Sequence, residues 1–86
     1  MYKYSDVKPE IFTEDGQVLF LAIRDNVFDL LKKSGAVKMG NAIAKTVGSS
    51  WLQMACVDRL VELGEIREIT ENQHAAGQHR VFVKAR

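Results

Sequence analysis

The side chains in this 86-residue chain that are best suited to metal binding or nucleophilic catalysis are one cysteine and two histidines. Cys56 is the only thiol, and His74 and His79 stand five positions apart. A structural zinc site needs about four nitrogen, sulfur or oxygen ligands, so these histidines alone do not form one. Catalysis needs a nucleophile, a base and an orienting group that converge in one pocket. The scattered carboxylates complete no such set, and we expect no metal, no cofactor and no enzymatic activity.

Basic side chains are the second group that could bind a ligand, since their contacts with nucleic-acid phosphates release counterions from the nucleic acid. Twelve Lys and Arg nearly balance eleven Asp and Glu, which gives a net charge of +1. The whole chain therefore attracts polyanions only weakly. Arg80, Lys84 and Arg86 follow one another without an intervening acid, and Lys38 and Lys45 add charge upstream. Any nucleic-acid binding must come from a local patch of such residues.

A long helix is predicted over residues 15–34, because apolar residues recur there at helical spacing. Thr13 is its expected N-cap and Gly35 its expected left-handed C-terminal residue. Leu21 and Phe28 widen the apolar stripe of this helix. Residues 1–12 are expected to form an ordered arm that covers them, with a dimer seam as the alternative. Pro9 argues against a continuous helix within that arm.

Three shorter elements are predicted next. Residues 36–39 are expected to form one strand of a small sheet. Asn41 can cap a second helix over residues 42–47, which Gly48 breaks. Ser49 or Ser50 should cap a third helix that runs to about residue 63 and stops at Gly64.

The last part of the chain predicts a β-hairpin. Residues 65–71 carry isoleucines at two positions, residues 72–78 form a polar loop with Gly77 as turn residue, and residues 79–84 alternate around a β-branched and aromatic centre. The predicted fold class is therefore α+β, with three helices and a small antiparallel sheet.

The order of these elements resembles the winged helix-turn-helix family of small bacterial DNA-binding regulators. The residues that match the family pattern are Ile43-Ala44-Lys45, Gly48, Ser49-Ser50, Leu60 and Gly64-Glu65-Ile66. The resemblance covers residues 15–84. It implies one winged-helix domain over residues 1–86, with a wing hairpin at 66–84, that acts as a DNA-binding transcription regulator of bacteria or phage.

In that family the third helix enters the major groove by its N-terminal half, and the wing reaches the phosphate backbone or the minor groove. Ser50, Trp51, Met54, Ala55 and Asp58 fall at the implied base-facing positions. The resemblance implies duplex DNA as the partner of a monomer or a homodimer. The implied nucleic-acid-binding residues are Lys38, Lys45, Ser49, Ser50, Trp51, Met54, Gln78, His79, Arg80 and Lys84.

The third helix does not have the composition that base recognition favours. On a helical wheel, its predicted core face consists of Leu52, Cys56, Val57, Leu60 and Leu63, with Gln53 beside it. The opposite face consists of Trp51, Met54, Ala55, Asp58 and Glu62, without Lys or Arg. Asp58 and Glu62 would repel phosphates, whereas exposed Trp and Met are typical of protein contacts. The alternative function is therefore a protein-interaction module that uses the Trp51/Met54 face.

Trp51 itself has three predicted roles, ranked by preference: burial at the junction with the first helix, contact with a partner protein, and contact with a base. No stretch approaches the roughly 18 apolar residues that span a bilayer, and the first ten residues lack the apolar core of a signal peptide. We therefore expect a cytoplasmic protein with no membrane contact.

Overall fold

The computed structural model of the chain describes residues 1–70 and 77–85, with the side chain of Gln78 left aside. In these residues it is an α+β structure with four α-helices and a three-stranded antiparallel sheet. The helices are α1 (Tyr4–Ile11), α2 (Glu14–Ser34), α3 (Met39–Ala42) and α4 (Ser50–Glu62). The strands are β1 (Ala36–Lys38), β2 (Ile66–Glu68) and β3 (Val81–Lys84), and a short 3-10 helix covers Gly77–His79.

Local signals determine both ends of α2, and the prediction of this helix is confirmed. The Thr13 hydroxyl accepts a hydrogen bond from the Gly16 amide at 3.0 Å, which satisfies one of the unpaired donors of the first turn. Gly35 ends the helix with φ at 77°, a left-handed conformation that glycine adopts without steric cost.

The N-terminal segment is a helix, α1, and the expectation that Pro9 prevents one is wrong. Pro9 lies inside α1 and can donate no hydrogen bond to the carbonyl four residues earlier. That carbonyl belongs to Ser5, an exposed residue. Val7 and Ile11 stabilise the helix because they are almost completely buried, and each such side chain contributes about 1.5–3 kcal/mol.

Residues 1–12 do not cover the exposed stripe of α2 as predicted. Leu21 is 45% exposed and Phe28 is 40% exposed. The reason is that α1 packs along α4, and it contacts α2 near the turn at Thr13 and Gly16. A Cβ added at Gly16 would lie 2.0 Å from the carbonyl oxygen of Glu10, which shows how closely the two backbones approach.

The sheet has the strand order β1-β3-β2, so β1 pairs with the second strand of the hairpin. Val37 lies opposite Phe82, and Ile66 lies opposite Lys84. Val37, Ile66 and Phe82 are all buried and direct one face of the sheet to the core. The two hairpin strands are confirmed, although β2 is shorter than predicted. The expected polar loop falls partly at residues 71–76, outside the described residues, and its end forms the 3-10 helix.

The second predicted helix has the wrong position. Residues 42–47 are not helical; α3 instead begins at Met39 and ends at Ala42. Two features, a side-chain amide and a backbone turn, explain why α3 ends at Ala42. The Asn26 side-chain amide donates to the carbonyls of Ala42 and Ala44 at 3.4 and 3.2 Å, and Lys45 adopts a left-handed φ of 65°. The chain therefore turns before it can continue as a helix.

The core lies between α1, α2, α4 and the sheet. Its fully buried large side chains are Phe82, Ile11, Ile23, Met39, Leu60, Ile66, Val27, Val57 and Cys56. On α4, the inward orientation of Cys56, Val57 and Leu60 is confirmed, and Leu52 is partly buried. Leu63 is 49% exposed, so the prediction that it belongs to the core is wrong. The reason is that α4 ends at Glu62 and Gly64 turns the chain away with φ at 78°.

Among the described residues, none of the helices combines the length and the apolar character that a bilayer crossing requires.

Candidate nucleic-acid interface

The first turn of α4 is the exposed part of the predicted recognition helix. Ser49 is its N-cap, and its hydroxyl accepts a hydrogen bond from the Leu52 amide at 3.1 Å. Of the two predicted caps, Ser49 is thus the one that acts, while Ser50 is exposed as the first helical residue. The loop before the cap is held by Gln53, whose side-chain amide donates to the Thr46 carbonyl at 3.2 Å and hydroxyl at 2.9 Å. This contact explains why a polar residue lies beside the core face of α4.

Trp51 is 49% exposed, so the prediction that it is buried is wrong. Its ring meets the Tyr2 ring edge-on, with centroids 6.5 Å apart and an interplanar angle of 62°. Tyr2 therefore contacts the indole, which still leaves about half of the Trp51 surface to solvent. An indole fixed in this way can stack on a base, a sugar or a partner side chain.

Most of the outer face of α4 is not free, contrary to the expectation of an exposed face: α1 packs along it, and Trp51 and Glu62 are the members of this face that stay exposed. Ala55 has no exposed surface, and the Asp58 side chain is 13% exposed. The Tyr2 hydroxyl donates to Asp58 at 2.6 Å, and the Tyr4 hydroxyl donates to Glu62 at 2.8 Å. Base contact by Ala55 or Asp58 is therefore excluded in this structure.

Glu62 is the second acid on α4 that is paired within the chain. Lys8 binds it at 2.8 Å, and Arg59 binds it at 2.6 Å from the same helix. The hydrogen bonds from Lys8, Tyr4 and Arg59 lower the pKa of Glu62 to about 2. Asp58 and Glu62 were expected to repel phosphates, but within the chain both carboxylates already have cationic or hydroxyl donors.

Arg80 is not available at the wing as predicted. Its guanidinium binds Asp58 and Glu68, each at 2.8 Å, and it lies 5.2 Å from the centroid of the buried Phe82 ring. The hydrogen bond to Glu68, supported by the one to Asp58, raises the pKa of Arg80 above its ordinary value. Arg80 therefore links the sheet to α4 and belongs to the structure rather than to a phosphate-binding surface.

The remaining predicted cations are exposed but dispersed. Lys38 lies opposite Val81 at one end of β3, and Lys84 lies opposite Ile66 at the other. Lys45 lines a groove with Asp15 and Val18, near the start of α2. Lys84 lines another groove near the end of α2, which places it about 20 Å from Lys45 along that helix. One positive strip through all predicted cations is therefore absent from the described part of the chain.

Two of the predicted residues are Met54, in the first half of α4, and His79, in the 3-10 helix beside it. Met54 is half-buried, and its terminal methyl would be 3.0 Å from a Cβ added at Gly77, so the 3-10 helix packs on it. His79 is exposed in that same short helix. Lys38 is linked to this region through the backbone, because the amide of the next residue, Met39, donates to the Arg80 carbonyl at 2.7 Å. Gln78 was also predicted here, but its side chain lies outside the described residues.

The residues that the sequence prediction missed are those of α1. Tyr4, Val7, Lys8 and Ile11 recur at helical spacing and carry the contacts with α4. That spacing by itself indicates a helix, but the presence of Pro9 favours the opposite interpretation. The pairing of Tyr2 with Asp58 joins positions 56 residues apart, and no local pattern could indicate it.

The tyrosine contacts of α1 predict a loss of stability at alkaline pH. Burial, followed by the hydrogen bond to Glu62, raises the pKa of Tyr4 from 10.0 to about 12. A raised pKa means that this contribution to stability is complete below pH 10 and disappears as the pH rises towards 12. We expect the melting temperature of the wild type to fall more steeply than that of Tyr4→Phe across this interval, as measured by circular dichroism. Equal slopes in the two proteins would show that the hydroxyl does not support α1.

Comparisons with known protein families, with curated proteins and with solved structures give no match to this chain. Among residues 1–70 and 77–85, no group of three or more His, Cys, Asp or Glu side chains could hold a metal ion.

Proposed function

We propose that the chain is a winged-helix protein that binds duplex DNA through the first turn of α4 and the basic residues beside it. The order α2, β1, α3, α4, β2, β3 is the one that a winged helix-turn-helix requires. Because β1 pairs with β3, the segment between α2 and α3 is hydrogen-bonded to the second strand of the hairpin. The N-terminal turn of α4 supplies amide donors and a positive dipole end, both of which favour phosphate.

The observation that carries this proposal is the neutralisation of the acids on α4. Asp58 is bound by Arg80 and Tyr2, and Glu62 is bound by Lys8, Arg59 and Tyr4. In addition, residues 30–57 contain no Asp or Glu. This segment therefore contributes Lys38 and Lys45 but no carboxylate, and the groove that holds Lys45 and Ser49 receives one carboxylate, that of Asp15 at the start of α2.

DNA binding is tested by fluorescence anisotropy with pooled duplexes at two salt concentrations. Lys45→Glu should weaken binding and reduce the salt slope by about one to two charge units, since each phosphate contact releases counterions. Trp51→Ala should weaken binding without changing the slope. Lys33→Glu is the matched control, because Lys33 lies in the last turn of α2, far from Lys45.

Two outcomes contradict the proposal. One is the absence of salt-sensitive binding at about 10 µM protein, where even non-specific complexes form. The other is equal weakening by Lys45→Glu and Lys33→Glu, which would show that net charge rather than this surface determines binding.

The second candidate function is the protein-interaction module, and the exposed Trp51 favours it. Val47, in the loop before α4, is 93% exposed and adds apolar surface to the same end of the molecule. Met54 no longer belongs to this surface, because the 3-10 helix packs on it. A partner whose binding is lost in Trp51→Ala but retained at high salt and in Lys45→Glu would support this function over DNA binding.

A further inference from the structure

The outer face of α2 carries an apolar stripe that points to solvent. Val18, Leu21 and Phe28 are 67%, 45% and 40% exposed. They lie on the side of the helix opposite its buried residues Leu19, Ile23 and Val27. We name this surface the α2 outer stripe, which comprises Glu14, Val18, Leu21, Asp25, Phe28 and Lys32.

The spacing within the α2 outer stripe is that of a helix–helix seam. Its positions alternate in steps of four and three residues, which is the 3.5-residue repeat by which two helices pack side by side. The helix has 21 residues and is therefore about 31 Å long, enough for several contact layers. The interior Asp25 is a polar residue in such a seam, and polar residues there fix register at some cost in stability.

The charges along α2 select the direction of a second helix. Glu14 and Asp15 lie in the first turn, and Lys32 and Lys33 lie in the last turn. A parallel pair of these helices would place acids beside acids and lysines beside lysines. An antiparallel pair places each acidic end beside a basic end, and it also opposes the helix dipoles favourably.

A groove lies beside each end of α2, and each groove contains charges of both signs. The groove beside Val18 contains Asp15 and Lys45. The groove beside Phe28 contains Lys32 and Lys84 together with Glu65. The two grooves lie on opposite flanks of the α2 outer stripe, since Asp15 and Ala22 lie on one side of it and Leu31 and Gly35 on the other. The charge complementarity of an antiparallel pair therefore comes from the ends of α2 alone.

We propose that a second copy of this chain is the partner of the α2 outer stripe, in an antiparallel two-fold dimer. The register places position 18 opposite 28, position 14 opposite 32 and position 21 opposite 25 of the second copy. Arg24 binds Asp25 at 3.4 Å and accompanies that carboxylate at the seam. This dimer does not depend on nucleic-acid binding, because it uses the surface of α2 and leaves Trp51 and Ser50 exposed.

Sedimentation equilibrium tests the dimer at concentrations from about 5 to 500 µM, where an interface of modest size dissociates. The wild type should show a monomer–dimer equilibrium, and Phe28→Asp should be monomeric throughout. Ile69→Asp is the matched control, since Ile69 is 43% exposed and lies after β2, outside the stripe. A monomeric wild type at all concentrations, or a dimer that Phe28→Asp leaves intact, overturns the proposal.

Charge exchange tests the direction of the pair. Glu14→Lys and Lys32→Glu should each weaken the dimer, and the double variant should restore it. Glu14 and Lys32 are exposed, as are their neighbours Asp15 and Lys33. The fold should therefore persist in these variants, and circular dichroism verifies this. A double variant that is weaker than both single variants overturns the antiparallel arrangement.

Cysteine cross-linking tests the register directly. Val18→Cys mixed with Phe28→Cys should form an intermolecular disulfide between the two variants. Either variant alone should not, because equivalent positions in this register are about ten residues, or 15 Å, apart along the helix. The native Cys56 is buried and does not interfere. Efficient cross-linking of a single variant with itself overturns the register.

Discussion

Replacing Phe82 by alanine should lower the free energy of unfolding by about 3–5 kcal/mol. Phe82 has no exposed surface and is among the largest fully buried side chains. It lies in the central strand β3, opposite Val37 of β1 and Glu68 of β2. Its removal would leave a cavity between the sheet and the helices. A domain of this length typically has about 4–13 kcal/mol of stability in total, so this single substitution should remove a large fraction of it.

Phe12→Ala is the matched control for this prediction. Phe12 is 54% exposed and contacts the Arg59 guanidinium at 5.2 Å from its ring centroid. A contact of this kind contributes about 0.5–1 kcal/mol at an exposed site. Urea unfolding monitored by circular dichroism gives both values. A loss at Phe82 as small as that at Phe12 would contradict the position of β3 at the centre of the core.

The elements that could be predicted from the sequence are those whose signals are local. The ends of α2 follow from Thr13 and Gly35, which act within one turn of the helix. The strand β3 follows from a short alternating run, whereas β2 is predicted from two isoleucines, Ile66 and Ile69, without a clear alternation. For α4, the helical spacing of Cys56, Val57 and Leu60 predicts which side faces the core, because an amphipathic helix packs its apolar side against the other elements.

The errors arise where a distant residue outweighs the local pattern. The end of α3 depends on Asn26, which lies 16 residues before Ala42. The burial of Ala55 depends on α1, whose formation requires that packing energy exceed the cost of Pro9. A helical wheel describes one helix alone, and it cannot show that a second helix packs on the side opposite the core.

The candidate site shows the same limit. Ser49, Ser50 and Trp51 were placed correctly at the start of α4, because a capping serine marks a helix start. Arg80 was assigned to phosphate, although it is bound by Asp58 from 22 positions away. The sequence of a predicted wing shows only that a positively charged residue is present, and it does not show which group that residue binds. Whether that cation meets an internal carboxylate is decided by the tertiary fold.

Asp58→Ala should therefore destabilise the protein by about 2–3 kcal/mol, although the sequence suggests a surface acid. The Asp58 carboxylate receives the Tyr2 hydroxyl at 2.6 Å and the Arg80 guanidinium at 2.8 Å. Removing it leaves the hydroxyl without this acceptor and the guanidinium with Glu68 as its remaining carboxylate. Partly buried charged donors that lose a partner incur a penalty of this size. Asp29→Ala is the matched control, because that exposed acid pairs with Lys33 at 2.9 Å and should cost about 0.5 kcal/mol or less.

A double-mutant cycle identifies the partner responsible. Asp58→Ala and Tyr2→Phe should be non-additive by at least about 0.5 kcal/mol, since contacting residues show such coupling. Tyr2→Phe retains the ring against Trp51 and removes only the hydroxyl. Additive losses would mean that α1 is held without the Tyr2–Asp58 bond. In that case Tyr2 would contribute nothing to the pairing of Asp58, and the neutralisation of this carboxylate, which favours DNA binding at the start of α4, would depend on Arg80 alone.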